Sequence, residues 1–234
     1  MSELIRHGLV VRFDFSMGFT AAAYIIIIVS GYLLGSLNTG IIISRLAYKE
    51  DIRNFGSGGT GMTNMLRTYG KPAAAATFLG DGLKAVIAAF IGMIFFGSSA
   101  IAVATYAGPY VGGLAAVLGH AYPIYYKFKG GRSVAATFFM VMCTEPIVGL
   151  ICIAIFMIIA WWTKYISLGS IMSVVIYPLI LNRLTGSGLH NVIAIVITLL
   201  IVYFHRENIK RLGAGTENKL NLRKTEKKKR ENKE

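Results

Sequence analysis

The sequence carries little charge, and most of its charge is of one sign. Only 15% of its 234 residues are charged, against roughly 25% in a typical soluble domain. Between positions 52 and 206 the only acidic residues are Asp81 and Glu145, while the net charge of the whole chain is +13. This asymmetry favours a site for anionic ligands. With 55% hydrophobic residues and a mean hydropathy of +0.60, the composition indicates a polytopic membrane protein, not a nucleic-acid-binding one.

Cysteine is equally scarce. The two cysteines, Cys143 and Cys152, lie in an apolar region and form neither a metal-ligand spacing nor a disulfide framework. We expect both to be packing residues, and we expect no metal site. The apolar run near the start of the chain has no obvious small-residue cleavage site, so we predict an uncleaved first span, not a signal peptide.

What the chain has instead is a series of long apolar runs. They cover residues 19–43, 73–96, 101–118, 134–143, 147–162, 166–184 and 189–204. Most are long enough to cross about 30 Å of hydrocarbon, whereas the fourth is predicted to be a shortened helix surrounded by protein. The sequence therefore predicts an all-α integral membrane protein of about seven transmembrane helices. Residues 1–18 precede the membrane domain, which covers residues 19–219, and a disordered basic tail is predicted over residues 220–234.

Most lysines and arginines lie in alternate loops. Residues 45–72, 119–133, 163–165 and 205–234 contain 5, 3, 1 and 11 of them, and the opposite loops at 97–100, 144–146 and 185–190 contain none. Positively charged loops face the cytoplasm. We therefore expect an external N-terminus, a cytoplasmic C-terminus and a polar active site at the cytoplasmic face.

One of these basic loops is rich in glycine. Residues 53–67 read R-N-F-G-S-G-G-T-G-M-T-N-M-L-R, so four glycines and several hydroxyl side chains lie between two arginines. Glycine allows successive backbone N–H groups to point into one concavity, which binds phosphate-like anions. The arginines add forked positive charge suited to phosphate oxygens. The stretch is therefore interpreted as an anion-binding loop, with a flexible polar connector as the alternative.

A second basic glycine turn, K-F-K-G-G-R-S at residues 127–133, precedes a predicted helix whose N-terminus could also bind an anion. Within the second apolar run, Asp81 and Lys84 are three residues apart and share one helical face. Ionisable groups inside a span are candidates for function, although an ion pair that satisfies only itself is the alternative. His120, at the end of the third run, is open to a simple capping role.

Several common motifs are excluded. The glycines at 56–61 match G-x-G-x-x-G, but no strand precedes them and no βαβ unit surrounds them. A phosphate-binding Walker loop would need Lys followed by Ser or Thr where Met62-Thr63 stands, and no G-x-S-x-G elbow is present. The polar segments of the chain are rich in hydrogen-bond donors that can bind phosphate and poor in nucleophilic side chains. This suits a group transfer in which the substrate carries its own leaving group, and positioning and electrostatics supply the rate.

Three polar segments resemble, in order and spacing, the motifs of the bacterial acyl-phosphate:glycerol-3-phosphate acyltransferases, an integral membrane family. The first combines G-S-L-N-T-G (35–40) with G-S-G-G-T-G-M-T-N (56–64). The second combines G-H-A-Y-P (119–123) with K-F-K-G-G-R-S-V-A-A-T (127–137), and the third is H-R-E-N-I-K-R-L-G-A-G-T-E-N-K (205–219). The resemblance covers residues 25–219 and includes the predicted seven-span layout.

This resemblance implies a long-chain acyl phosphate as donor and glycerol 3-phosphate as acceptor. The acceptor's 1-hydroxyl would attack the acyl carbonyl, releasing inorganic phosphate and forming lysophosphatidic acid for phospholipid synthesis. It implies no acyl-CoA, acyl carrier protein, metal or other cofactor. The partners expected are the two substrates and membrane lipids, without nucleic acid, and the expected location is the cell membrane.

The resemblance also assigns roles to residues. Ser36 and Arg45 would hold a phosphate. The glycine turn at residues 130–132 would bind the acyl phosphate, and the third motif would complete the binding site for the acceptor. The implied catalytic residues are Ser36, Arg45, His205, Asn208 and Glu217. The implied substrate-binding residues are Ser57, Gly58, Thr63, Asn64, Lys129, Gly130, Gly131, Arg132 and Arg211.

The chain departs from the family pattern at a few motif positions. Asn38 replaces proline, Gly59 replaces asparagine and Met62 replaces alanine, while Arg132 stands where the family has lysine and Ser133 also differs from common forms. Two readings therefore stay open beside the acyltransferase: a divergent paralogue with an altered substrate, and a transporter of a phosphorylated solute. A non-catalytic membrane scaffold is a third.

Overall fold

The computed structural model describes residues 17–97 and 107–220, and in that part of the chain it contains helices and no strand. The helices are α1 (Met17–Ser36), α2 (Thr39–Ala47), α3 (Met62–Tyr69), α4 (Lys71–Phe96), α5 (Gly108–Ala121), α6 (Val134–Thr144), α7 (Pro146–Thr163), α8 (Ile166–Thr185), α9 (Gly188–Phe204) and α10 (Arg206–Gly213). Short 3₁₀ turns lie at Ile52–Asn54 and Ile124–Tyr126. The all-helical expectation is thus confirmed for the described residues.

Four described stretches are long and apolar enough to cross a membrane: Met17–Ala47, Lys71–Phe96, Pro146–Thr163 and Ile166–Thr185. A fifth is added if α9 and α10, which meet at a bend of 58°, form one span, and α6 is a shorter apolar helix. Part of the predicted third span lies outside the described residues, as do residues 1–16 and the tail from 221 onward. The count of seven spans therefore stays a prediction.

The first predicted span is not one continuous helix, because it breaks between α1 and α2. Asn38 adopts an extended backbone at the break. Side chains from α4 satisfy the helix ends there: Lys84 donates to the carbonyl of Leu37 at 2.8 Å, and Asp81 accepts the N–H of Thr39 at 3.3 Å. Irregular backbone inside a membrane bundle is tolerated where protein groups replace the missing hydrogen bonds.

The glycine-rich segment also differs from the predicted loop, because it leads directly into the eight-residue helix α3.

Glycines at the contacts between helices allow the long helices to pack closely. A Cβ on Gly35 would lie 2.3 Å from the carbonyl oxygen of Ala116, and one on Gly92 would lie 2.2 Å from that of Gly108. Such small residues bring α1 and α4 against α5.

The four basic segments gather at one end of the bundle. Arg53 donates to the carbonyls of Tyr126 and Lys129, both at 3.1 Å. Arg67 donates to the carbonyl of Asn218 at 3.1 Å, and the N–H of Leu220 donates to the carbonyl of Lys164 at 2.8 Å. The loops that the charge pattern assigned to one face therefore lie together, and they surround the mouth of a cavity.

Candidate functional site

A cavity of about 370 Å³ opens between the gathered loops and extends between α6, α7 and α8. The loop end is lined by polar residues that include Ser57, Thr63, Asn64, Arg132, His205 and Asn208. The helical part is lined mainly by apolar residues that include Phe78, Phe138, Val141, Ile153, Phe156 and Met157. The lining reaches Tyr177, which is about 16 Å along α8 from its start. The cavity therefore has a polar mouth and a deep apolar slot.

Asn64 holds the glycine-rich loop in shape at the mouth. Its side-chain amide donates to the carbonyls of Phe55 and Gly59 at 2.9 and 2.8 Å, and its carbonyl oxygen accepts the N–H of Ser57 at 3.0 Å. Gly56 has φ +57°, and a Cβ there would lie 2.2 Å from the Asn64 oxygen. The wrapped loop brings the start of α3 to the cavity, where backbone N–H groups favour an anion.

A buried carboxylate organises the third motif. Glu217 accepts hydrogen bonds from Ser167 Oγ at 2.9 Å, Asn208 Nδ2 at 2.8 Å and Arg211 Nε at 2.7 Å. Burial alone would raise the pKa of Glu217, but these hydrogen bonds and the charge of Arg211 outweigh it and lower that pKa. The carboxylate therefore stays ionised and ties α8 to α10.

Three arginines lie within electrostatic reach of this one carboxylate. Burial lowers the pKa of Arg132, and the neighbouring charges of Arg211 and Arg67 lower it further, while Glu217 opposes them. Burial likewise lowers the pKa of Arg67. Both guanidiniums line the cavity and remain protonated, since arginine does not lose its proton in proteins. The mouth therefore has an excess of half-buried positive charge, which favours an anionic ligand.

His205 presents a hydrogen-bond acceptor to the cavity. Its Nδ1 lies 2.8 Å from the carbonyl oxygen of Ile201. A carbonyl can only accept, so Nδ1 carries the hydrogen and the Nε2 of the neutral ring is left as the acceptor. The residue is buried and lines the cavity.

Four buried polar atoms on the cavity wall have no hydrogen-bond partner within the described part of the chain. They are Thr60 Oγ1, Thr137 Oγ1, Tyr177 Oη and Asn208 Oδ1. Buried polar atoms in folded proteins are nearly always paired. These atoms therefore mark positions where a ligand or water completes the hydrogen bonding.

Two of the predicted catalytic residues do not line the cavity. The hydroxyl of Ser36 donates to the carbonyl of Tyr32 at 2.8 Å and is buried at the end of α1. Arg45 pairs with Asp51 at 2.9 Å, has a half-exposed side chain and lies over the ring of Tyr126. The last turn of α2 directs its guanidinium to that carboxylate at the loop surface.

The remaining predicted site residues do not line the cavity, and they hold its surrounding segments in place. The N–H groups of Gly130 and Gly131 donate to the carbonyls of Ala121 and His120, both at 3.1 Å, so they hold the glycine turn closed. The carbonyl of Lys129 accepts from Arg53, Gly58 adopts φ +68° in the glycine-rich loop, and Arg211 acts through Glu217.

Sequence reasoning missed some residues of the cavity wall. Ser167 and Ser170 lie in the first turns of an apolar span, where no motif distinguishes them. Arg67 was considered only as a flank of the glycine loop. Its cavity position follows from the helical start at Met62, which a loop prediction does not contain.

The chain matches the glycerol-3-phosphate acyltransferase family profile over residues 25–215. It is 39% identical over 203 residues to the glycerol-3-phosphate acyltransferase of Clostridioides difficile (strain 630), covering 86% of this chain and 98% of that protein. It is 41% identical over 189 residues to the protein of the same name from Thermoanaerobacter pseudethanolicus, covering 81% and 91%. The glycerol 3-phosphate form of PlsY, an integral membrane glycerol 3-phosphate acyltransferase, superposes with a TM-score of 0.79 at 37% identity, covering 86% and 97%. The lysophosphatidic acid form gives 0.76 at 35% identity.

Proposed function

The chain belongs to the glycerol-3-phosphate acyltransferase family, and from this premise we propose that it transfers a long-chain acyl group from acyl phosphate to the 1-hydroxyl of glycerol 3-phosphate. The products are lysophosphatidic acid and inorganic phosphate. The observation that carries the choice of donor is that half-buried arginines adjoin an apolar slot within one cavity. A donor with a phosphate head and a fatty acyl tail matches both parts, and the PlsY forms with glycerol 3-phosphate and lysophosphatidic acid support the acceptor.

In the proposed reaction the arginines bind the phosphates, and the acyl carbonyl lies where the polar mouth meets the slot. The 1-hydroxyl oxygen of the acceptor forms a bond to the carbonyl carbon, and the bond from that carbon to the phosphate oxygen breaks. Arg67 and Arg132 stabilise the charge on the departing phosphate. Binding both substrates in this orientation supplies the remaining acceleration.

The hydroxyl proton needs an acceptor. His205 Nε2 accepts a hydrogen bond from the attacking hydroxyl and orients it, and the Oδ1 of Asn208 offers a second acceptor while Glu217 holds its amide. A substrate phosphate takes the proton, because a phosphate monoester has a second pKa of about 6. Ser167 holds Glu217 in place from α8.

We further propose a multi-pass location in the cell membrane with this site at the cytoplasmic face. The lysine- and arginine-bearing loops surround the mouth of the cavity, and such loops are retained on the cytoplasmic side. An acyl tail can then enter the apolar slot from the bilayer while glycerol 3-phosphate reaches the mouth from water.

The departures from the family pattern fit this assignment. Arg132 keeps a positive charge at the mouth. Ser133 adopts φ +61° and donates to the carbonyl of Val117 at 2.7 Å, so the turn keeps its shape without glycine. A Cβ on Gly59 would be 3.6 Å from Ser57 Oγ, an ordinary contact distance, so glycine here leaves extra space and does not relieve a clash.

The test is phosphate release by the purified protein from palmitoyl phosphate, with and without glycerol 3-phosphate. We expect acceptor-dependent release with formation of lysophosphatidate, and its loss in Arg132→Gln. The control is Arg206→Gln, because Arg206 is exposed and lies over the ring of Tyr203, away from the cavity lining.

Absence of acceptor-dependent release from the wild-type protein would contradict the proposal. In that case an altered substrate, or a transporter that holds its anion near the middle of the membrane, becomes the better explanation. Equal losses in the two arginine variants would contradict the role given to Arg132.

A further inference from the structure

Three ionisable side chains lie buried together at the cavity wall, which Asp81 and His120 help to line, and the mechanism above uses none of them. Asp81 and Lys84 come from α4 and His120 from the end of α5, and all three are buried. Ions removed from water in a membrane bundle are costly unless their hydrogen bonds are complete. Their contacts therefore define their protonation states.

The ammonium of Lys84 has three acceptors for its three hydrogens. Its Nζ lies 3.0 Å from Asp81 Oδ1, 2.9 Å from His120 Nδ1 and 2.8 Å from the carbonyl oxygen of Leu37. An ammonium group donates only. The Nδ1 of His120 also lies 3.5 Å from Asp81 Oδ1, but the ammonium is much nearer, at 2.9 Å. Nδ1 therefore accepts from the ammonium and carries no hydrogen. The ring is neutral with its hydrogen on Nε2, the opposite tautomer to that of His205.

The Nε2 of His120 lies against Gly131, in a corner of the cavity. A Cβ on Gly131 would be 2.1 Å from this nitrogen and 2.8 Å from Thr60 Oγ1. Thr60 Oγ1 is one of the buried hydroxyls without a partner among the described residues. Thr60 and His120 line the cavity together with Arg132. A donor nitrogen and a hydroxyl thus share a space that exists only because residue 131 has no side chain.

We propose that His120 is a further substrate-binding residue, whose Nε2–H donates, beside the Thr60 hydroxyl, to a phosphate oxygen of a bound substrate. Lys84, ionised by its pair with Asp81, is a positioning residue that fixes the donating tautomer. The identity of the phosphate rests on the proposed function. Both substrates carry this group, and the kinetic test identifies which one His120 contacts.

A purely structural role must be distinguished, since the backbone of His120 also holds the fold. Its carbonyl accepts from Asn38 Nδ2 at 3.2 Å and from the N–H of Gly131 at 3.1 Å. These contacts persist in any side-chain variant. Two amide variants distinguish the roles of the two ring nitrogens. In His120→Gln the amide nitrogen can lie near the position of Nε2, whereas in His120→Asn it can reach only the position of Nδ1.

The first measurement is kcat and KM for palmitoyl phosphate and for glycerol 3-phosphate in both variants. Loss of a hydrogen bond to a charged ligand corresponds to about a tenfold to hundredfold rise in KM. We expect this rise in His120→Asn for one substrate and recovery of most of it in His120→Gln. Equal KM values in the two variants, or a loss confined to protein yield, would overturn the proposal. A wild-type protein without turnover would instead count against the proposed function.

The second measurement does not depend on turnover. The chain has four histidines, and the ¹⁵N-histidine signal that disappears in His120→Gln identifies His120. We expect an unprotonated Nδ1 and a protonated Nε2 in the wild-type protein, and a shift of the Nε2–H signal when inorganic phosphate is added. The reverse tautomer, or a signal that phosphate leaves unmoved, would overturn the inference.

Discussion

Replacing Glu217 by glutamine removes the negative charge that joins α8, α10 and the C-terminal segment. The side chain is only 5% exposed and accepts three hydrogen bonds, one of them from Arg211 at 2.7 Å. The glutamine has nearly the same shape, so packing is kept while the charge and part of the hydrogen bonding are lost. The perturbation is therefore almost purely electrostatic.

The expected cost follows from the burial of the pair. Breaking a buried ion pair by changing one partner costs about 3–5 kcal/mol, and the partial exposure of Arg211 places Glu217→Gln near the low end, at about 3 kcal/mol. For a chain of this length each kcal/mol lowers Tm by about 2–4 °C. We therefore expect a decrease in Tm of about 6–12 °C.

Thermal unfolding in detergent can be followed with a thiol-reactive fluorophore, because Cys143 and Cys152 are both partly buried in the folded protein. Scans at one fixed heating rate make the variants comparable even if unfolding is irreversible. The control is Glu207→Gln, which breaks the exposed pair with Lys210 at 3.3 Å. Exposed pairs contribute about 0–1 kcal/mol, so its Tm should fall by at most a few degrees.

The pH dependence provides an additional check. The folded-state pKa of Glu217 is lowered, so its stabilisation is fully present above the unfolded-state pKa of about 4.3 and is lost as pH falls below that value. The Tm gap between wild type and Glu217→Gln should therefore stay constant from neutral pH to about pH 5 and narrow at lower pH. A gap no larger than that of Glu207→Gln, or one that narrows already near neutral pH, would refute the reasoning.

Three further predictions concern the cavity and the tail. Gly131→Ala should abolish most acyl transfer because its Cβ would meet His120 Nε2 at 2.1 Å. By contrast, Gly188→Ala, away from the cavity lining and with nothing within 4 Å of its Cβ, should retain activity in the same phosphate-release assay. Val141→Phe should shorten the apolar slot and shift the preferred acyl phosphate to shorter chains, which competition between chain lengths would reveal; an unchanged preference would place the acyl tail elsewhere. Truncation after Leu220 should preserve turnover, because residues 221–234 form the Lys-, Arg- and Glu-rich tail that the composition predicts to be disordered, and loss of activity would give the tail a role.

Local pattern was sufficient for much of the fold. The apolar runs predicted α4, α7, α8 and α9 to within two residues at either end, since a stretch that must satisfy its backbone in lipid has few choices other than a helix. Local pattern did not predict α3, because short helices within polar loops depend on contacts with distant segments.

The candidate site was predicted unevenly, and two arginines show why. Arg45 and Arg67 both belong to the basic segment 45–72, and the resemblance assigned a catalytic role to Arg45 alone. In the folded protein Arg67 lines the cavity, whereas Arg45 pairs with Asp51 near the surface. Periodicity reports which face of its own helix a residue occupies, but not what that face meets.

The sequence by itself determined the class of protein, the gathering of the basic loops at one end of the bundle and the order of the three motifs, because these depend on hydrophobicity, charge and local spacing. Only the tertiary structure decided which motif residues reach the substrate cavity and how His120 is protonated. His120 is 36 residues from Lys84 along the chain, and its tautomer is fixed by a hydrogen bond that exists only after α4 packs against α5. Contacts at such separations depend on packing, which no local pattern records.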